Sequence, residues 1–183
     1  MAKDYVNKFD RTSIAVQDGD ITKIPANALV TAINSGGMWF GGIDGAIQRV
    51  AGNLYHAQAQ QAMPLYDLQT VVAKGNRTNH QGFFDNVVFV VDDLESPLDS
   101  VLYKSLEASH NEAYKNILIP TIRMGVMAGV RESPEEAVQK MGEGLKRFMD
   151  DYAHKTRLED ITFVVYNDAQ TQKRLTDGLI GLR

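Results

Sequence analysis

Two glycine-rich segments contain the residues of this chain that can do chemistry. The first segment covers residues 34–45 and the second covers residues 120–129. Each follows an apolar run that predicts a strand and precedes a helical pattern. Glycines at such a junction let backbone N–H groups approach an anion closely, and the start of a helix adds partial positive charge. Two such segments in one small α/β protein predict a diphosphate ligand, and therefore a nucleotide diphosphate.

The elements that must position these residues alternate along the chain. Apolar runs predict strands at residues 13–16, 28–33, 70–73, 87–91, 117–119 and 161–166, and we assign the tyrosines within such runs to core packing. Helical patterns cover residues 42–50, 54–63 and 169–179, and two more follow capping patterns at Ser96 and Ser133. This alternation predicts a three-layer α/β/α sandwich, whose ligands collect at the carboxyl ends of the strands.

Composition limits the classes of function. The chain has 183 residues, 44% of them hydrophobic, which fits one domain with a full core. It shows neither a signal-peptide pattern nor an apolar run near the about 20 residues of a membrane helix, so we expect a cytoplasmic protein without a membrane partner. The absence of cysteine excludes disulfides and thiolate zinc sites. A formal charge of −4 makes nucleic acid an unexpected partner, although backbone amides can still bind a small anion.

Commoner nucleotide and metal sites do not match. Gly36 and Gly41 have the spacing of a P-loop, but Gly42 and Ile43 stand where its lysine and hydroxyl residue are needed. No G-x-G-x-x-G follows a predicted strand, so a Rossmann site has no support. The four histidines are scattered, and the acidic run at residues 92–95 fits a turn before a helix better than a metal site. We expect neither a metal nor a cofactor.

The first glycine-rich segment, with the residues before it, resembles the N-terminal signature of macro domains. G-D-I-T at residues 19–22 leads into A-L-V-T-A-I-N-S at residues 28–35, and G-G-I-D-G-A-I follows at residues 41–47. The family reads G-D-I-T, then V-N-A-A-N, then G-G-G-V-D-G-A-I. Residues 125–129, after a short strand, are similar to the family's second phosphate-binding loop. The similarity covers most of the chain in order and spacing.

This resemblance implies one macro-like domain over residues 1–183, with a central mixed, largely parallel sheet. It also implies that ADP-ribose or an ADP-ribosylated substrate is the partner. Asp44 and Asn34 match the positions beside the distal ribose that carry catalysis in hydrolytic members. The ligand-binding positions are Asp20, Ile21, Asn34, Gly41, Gly42, Ile43, Gly45, Arg123, Gly125, Val126, Met127, Ala128 and Gly129.

Three polar side chains also have structural alternatives. Asp20 can accept a hydrogen bond from the adenine amine or can form a turn, and Asn34 can bind ribose hydroxyls or cap a strand end. Asp44 as a helix N-terminal acid would gain about 0.3–1 kcal/mol from the helix dipole. A carboxylate beside a diphosphate costs electrostatic energy, however, which favours a catalytic role for Asp44.

The chain departs from the family pattern at several positions. Thr31 replaces the first asparagine of the N-A-A-N run, Met127 replaces an aromatic residue, and Phe89 replaces the histidine of a V-I-H-T-V-G-P strand. Arg123 stands where some relatives carry a small residue, and it either reaches a phosphate or forms a salt bridge with Glu132. Trp39 and Phe40 either pack beneath the first segment or cover the distal ribose.

The activity favoured by these residues is hydrolysis at the distal ribose. It would remove ADP-ribose from a modified side chain or deacetylate O-acetyl-ADP-ribose, with Asp44 positioning the attacking water. A non-catalytic reader or sequestering protein for ADP-ribose is the main alternative. A phosphatase acting on ADP-ribose 1″-phosphate is another, and binding of RNA ends has little support because the chain is acidic.

Overall fold

The computed structural model describes residues 3–37, 42–124 and 128–183. The strands within these ranges are β1 (Lys3–Phe9), β2 (Thr12–Asp18), β3 (Ala26–Ile33), β4 (Thr70–Ala73), β5 (Phe84–Val91), β6 (Asn116–Pro120) and β7 (Asp160–Val165). The α-helices are α1 (Gly42–Ala51), α2 (Leu54–Gln61), α3 (Leu98–Asn111), α4 (Pro134–Tyr152) and α5 (Ala169–Ile180). No helix in the described ranges combines the length and apolar character needed to cross a membrane.

The described strands form one sheet in the order β1-β2-β7-β6-β3-β5-β4. The five strands from β2 to β5 in this order run parallel, whereas β1 and β4 pair antiparallel at the two edges. Strand β3 lies between β6 and β5, although both follow it in the chain. The expected mixed, largely parallel sheet is confirmed.

Both faces of the sheet are buried, and β3 shows how its residue pattern achieves this. Ala28 and Val30 belong to a hydrophobic cluster that also contains residues of α3, α4 and α5. Leu29 and Ile33 belong to a second cluster, with residues of α1 and α2. Because neighbouring strand residues point to opposite faces, a strand covered on both sides is apolar at nearly every position. The predicted three-layer α/β/α sandwich is therefore confirmed.

Two local predictions have different outcomes. The capping pattern at Ser133 is confirmed, since Ser133 and Glu136 form a reciprocal capping box at the start of α4. The prediction that Ser96 caps the next helix is wrong, because Pro97 is the N-cap residue of α3 and makes no side-chain cap hydrogen bond. The Ser96 hydroxyl instead donates to the carboxylate of Asp67, at 2.5 Å.

The close approach of α3 and α4 gives a test of the fold. A Cβ atom at Gly144 would lie 2.6 Å from the carbonyl oxygen of Asp99. One at Gly142 would lie no closer than 3.6 Å to the Leu182 side chain and 4.0 Å to the Gly178 carbonyl oxygen. We expect Gly144→Ala to lower the free energy of unfolding by about 1–3 kcal/mol, because the helices must move apart. Gly142→Ala is the matched control and should be neutral or stabilising. Urea denaturation of both variants measures this, and equal stability would contradict the packing described.

Candidate functional site

A cleft of about 530 Å³ opens at the carboxyl ends of the parallel strands. Its lining includes Ala32 near the end of β3, Pro120 at the end of β6 and Val165 at the end of β7. The first turn of α1 adds Gly42 and Ile43 to the wall. This is the edge at which sheets of this type bind ligands, and the cleft is large enough for a small organic molecule.

The predicted site residues are distributed unequally around this cleft. Asp20, Ile21, Gly42, Ile43, Asp44 and Arg123 line it. Ala128 and Gly129 lie in an exposed turn, and Gly129 has a φ of 75°. Neither Asn34 nor Gly45 is among the described lining residues. Outside the described residues lie Gly41, Gly125, Val126 and Met127, and also Trp39 and Phe40.

Asp20 has the structural role considered for it and also borders the cleft. Its Oδ1 accepts hydrogen bonds from the backbone N–H (2.9 Å) and the hydroxyl (2.7 Å) of Thr22, and so caps a short 3₁₀ turn, Ile21–Lys23. Asp20 is exposed, and its Oδ2 makes no hydrogen bond with a described residue. One carboxylate oxygen thus fixes the turn while the other can accept a hydrogen bond from a ligand.

Tyr166 is a cleft residue that the sequence reasoning missed. It follows the last residue of β7, lines the cleft and is 77% exposed. The apolar run 161–166 led us to assign this ring to the core, which is wrong. The polar residues Asn167 and Asp168 that follow it were the available signal, because a tyrosine next to a loop usually keeps one end in water. Its exposed ring gives the cleft a flat stacking surface.

Asp44 lines the cleft and is nevertheless only 3% exposed. It lies in the first turn of α1, where the helix dipole favours a negative charge. Its Oδ1 accepts a hydrogen bond of 3.3 Å from the Thr31 hydroxyl. Thr31 therefore replaces the family's asparagine with a donor that reaches Asp44 from the strand below. The carboxylate is held in a fixed position at the edge of the cleft.

His56 lies behind Asp44 and was not predicted to take part in the site. Its Nε2 is 3.8 Å from Asp44 Oδ1, and the side chain is 1% exposed. Its ring centroid lies 5.3 Å from that of Phe89, which occupies the position of the family's strand histidine. Burial lowers the pKa of His56 to about 4, so the imidazole is neutral at physiological pH. The imidazole of His56, which belongs to α2, thus lies close to the position that the family's strand histidine would occupy.

Arg123 forms the predicted salt bridge with Glu132, but its main partner is Asp92. Its Nε and Nη2 donate to the two carboxylate oxygens of Asp92 at 2.9 and 2.6 Å, and Nη1 donates to Glu132 at 2.7 Å. Nη2 also donates to the carbonyl of Ser96 at 2.7 Å. These bonds occupy four of the five N–H donors of a guanidinium. The salt-bridge alternative is thus present in the structure, and Arg123 also lines the cleft, so its binding of a ligand phosphate stays a prediction.

The acidic run 92–95 is a junction between loops. Asp92 is fully buried against Arg123, and Asp93 accepts a hydrogen bond of 2.7 Å from the backbone N–H of Ser35, at the start of the first glycine-rich segment. The interpretation of residues 92–95 as an acidic turn before α3 agrees with these contacts. Among the described residues, no group of three or more His, Asp and Glu side chains could hold a metal ion.

Comparison with known proteins agrees with the fold. No family model matches the chain. It is 29% identical over 171 residues to an O-acetyl-ADP-ribose deacetylase of Escherichia fergusonii, covering 88% of this chain and 93% of the relative. It is also 27% identical over 169 residues to a macro domain-containing protein of Cupriavidus necator, covering 85% and 91%.

Solved macrodomain structures superimpose on nearly the whole chain. A variant of the Oceanobacillus iheyensis macrodomain has a TM-score of 0.79 at 20% identity, covering 98% of this chain and 96% of its own. The Trypanosoma brucei macrodomain in complex with ADP-ribose has a TM-score of 0.77 at 21% identity, covering 96% and 73%. The chain has a macrodomain fold, and the resemblance seen in the sequence is confirmed.

The buried imidazole of His56 predicts a dependence of stability on pH. Because the folded pKa is about 4 and the ordinary value is 6.5, the unfolded chain binds the proton first as the pH falls. The free energy of unfolding therefore falls as the pH is lowered from about 6.5 to about 4, by up to about 3 kcal/mol. Urea unfolding across this range, with His56→Gln for comparison, isolates the effect, since His80 and His110 also have lowered pKa values. If the free energy of unfolding of wild type and of His56→Gln depended on pH in the same way, the low pKa of His56 would be contradicted.

Proposed function

We propose that this protein binds ADP-ribose along the cleft and hydrolyses an ADP-ribosyl derivative at the distal ribose. The observation that carries the proposal is the position of Asp44, a buried carboxylate lining the cleft at the N-terminus of α1. A relative similar over most of its length is an O-acetyl-ADP-ribose deacetylase, and one solved macrodomain contains ADP-ribose. These similarities support the substrate class, and the carboxylate of Asp44 in the cleft supports a hydrolytic reaction.

The adenosine half of the ligand fits the end of the cleft formed by Asp20, Ile21 and Tyr166. An exposed tyrosine ring can stack on a purine, because every base has a π-face. The Asp20 Oδ2, which bonds to none of the described residues, can accept a hydrogen bond from the exocyclic amine of adenine. Ile21, only 5% exposed, supplies an apolar contact beside the base.

The diphosphate fits the N-terminus of α1. Gly42 is the first residue of this helix and lines the cleft, where backbone N–H groups and the helix dipole attract an anion. Thr121, Ile122 and Met124, which follow β6 in the second glycine-rich segment, also line the cleft. Phosphates bound there would place the distal ribose close to Asp44.

Asp44 has two properties suited to hydrolysis at that ribose. Its carboxylate can orient a water molecule and accept a proton as the water attacks the acetyl carbonyl or the anomeric carbon. It can also stabilise positive charge that develops at the anomeric carbon. The Thr31 hydroxyl fixes one of its oxygens, which reduces the reorganisation needed during the reaction.

A non-catalytic reader is the second candidate function, and one observation favours it. Asp44 is almost completely buried and already accepts a hydrogen bond from Thr31, which leaves less of the carboxylate for water. A reader would need the same adenosine and diphosphate contacts. The two functions therefore differ only in turnover.

Replacement of Asp44 separates hydrolase from reader. We expect Asp44→Asn to lower turnover of O-acetyl-ADP-ribose by about 10²–10⁴-fold, because the amide cannot accept the proton. Binding of ADP-ribose should be retained, since the variant keeps the shape of the cleft. Single-turnover kinetics and calorimetry measure the two effects. A wild-type protein that binds ADP-ribose but turns over neither this ester, an ADP-ribosylated protein nor ADP-ribose 1″-phosphate would favour the reader.

The stacking role of Tyr166 is tested by its removal. We expect Tyr166→Ala to weaken ADP-ribose binding by about 1–3 kcal/mol, through loss of the ring beneath the base. Tyr66→Ala is the matched control, since Tyr66 is 67% exposed and does not line the cleft. Calorimetric titration of both variants with ADP-ribose measures the difference, and an equal effect of both would refute the assignment.

A further inference from the structure

Arg49 is a cationic side chain that lines the cleft and has no acidic partner. It is exposed, and it forms no hydrogen bond or ion pair with another described residue. The other cation of the cleft, Arg123, is bound by Asp92 and Glu132. Among the described residues that line the cleft, Arg49 therefore carries the one positive charge that no carboxylate neutralises.

The Arg49 guanidinium is turned toward the N-terminus of α1. A Cβ atom added at Gly45 would lie 3.5 Å from Arg49 Nη1, so the guanidinium lies beside Gly45, one turn before Arg49 itself. Helical side chains commonly lean in this direction. Arg49 belongs to the last turn of α1, where a cation can stabilise the C-terminal carbonyls, but its charge lies away from them. The helix dipole thus does not explain where this charge lies.

The direction of α1 indicates which part of the cleft Arg49 borders. The helix begins at Gly42, which lines the cleft. Residues 81–83 join the other end of the helix to the 3₁₀ turn Ile21–Lys23, through backbone hydrogen bonds of 2.9 and 2.8 Å. The helix therefore runs from the proposed diphosphate position toward the adenosine end of the cleft. The guanidinium beside Gly45 lies between the two.

The ligand group that fits this position is an anion next to the adenosine. In ADP-ribose that group is the phosphate bonded to the adenosine, which AMP also contains. A guanidinium can donate two parallel hydrogen bonds to a phosphate, and such charge-assisted bonds are stronger than neutral ones. Asp20, Asp44 and Asp168 also line the cleft and would repel a phosphate. An unpaired cation on the same wall offsets this repulsion.

We propose that Arg49 is a ligand-binding residue, whose guanidinium pairs with the phosphate bonded to the adenosine. The inference rests on the proposed function, because it takes an adenine nucleotide as the ligand. Removal of the guanidinium therefore weakens binding of AMP and of ADP-ribose by a similar factor. Binding of adenosine, which has no phosphate, stays unchanged.

Titration of wild type, Arg49→Gln and Arg157→Gln tests the pairing, with calorimetry for ADP-ribose and AMP and NMR for the weaker ligand adenosine. Arg157 is the matched control, since it is also exposed and has no ion pair with a described residue, but does not line the cleft. We expect Arg49→Gln to weaken binding of both nucleotides about tenfold, and Arg157→Gln to weaken neither. Salt at about 0.5 M should reduce the difference, because an exposed ion pair is screened.

Two results would overturn the pairing. The first is an equal affinity of wild type and Arg49→Gln for AMP, which would mean that the guanidinium does not contact the phosphate. The second is an equal loss of AMP and adenosine binding in Arg49→Gln, which would mean that the guanidinium stacks on the base. Because Arg49 is exposed, the variant should fold, and thermal unfolding checks this.

An NMR titration with inorganic pyrophosphate separates failure of this inference from failure of the proposed function. The Arg49 Nε–H resonance, identified by its absence from Arg49→Gln, should shift when pyrophosphate is added to wild type. If wild type does not bind ADP-ribose, the proposed ligand is wrong, and the pyrophosphate titration still decides whether Arg49 pairs with a phosphate group. An unchanged resonance would then overturn the pairing.

Discussion

The parallel pairing of β3 with both β5 and β6 is the constraint on which the site depends. Ile33 pairs with Val91, and the Ile33 carbonyl accepts a hydrogen bond of 2.7 Å from the Asp92 N–H. Strand β6 pairs with the other side of β3, so Pro120 ends at the same edge of the sheet. Three loops therefore leave adjacent strands together. This convergence lets an acidic turn contact both glycine-rich segments and forms the cleft between them.

The cleft has the unusual property of placing acidic side chains around a proposed site for an anion. The fold reduces the cost of each charge in a different way. Asp44 lies at a helix N-terminus and accepts a hydrogen bond from Thr31, whereas Asp92 and Glu132 share the guanidinium of Arg123. In the proposed function, phosphate binding relies on backbone N–H groups and Asp44 is the carboxylate that takes part in hydrolysis.

Much of the fold was predictable because strands buried on both faces carry nearly continuous apolar runs, such as residues 87–91 of β5. Strand β1 was missed because it is an edge strand, in which only Val6 is buried. The glycine-rich segments and Asp44 were found because their signal is local. The partnership of Arg123 with Asp92 spans 31 residues, and the exposure of Tyr166 depends on where β7 ends. The long-range contact of Arg123 leaves no pattern in the sequence, whereas the polar residues after Tyr166 were the one local signal of its exposure.

The measurement that tests the central claim most directly is a calorimetric titration of the wild-type protein with ADP-ribose, with AMP in parallel. If the adenosine end, the diphosphate site and the distal-ribose end all belong to one cleft, ADP-ribose binds with a dissociation constant of about 1 μM, and AMP binds far more weakly. Equal affinities would mean that only the adenosine end is engaged. No detectable binding of ADP-ribose would contradict the account and would show that this macrodomain fold serves another ligand.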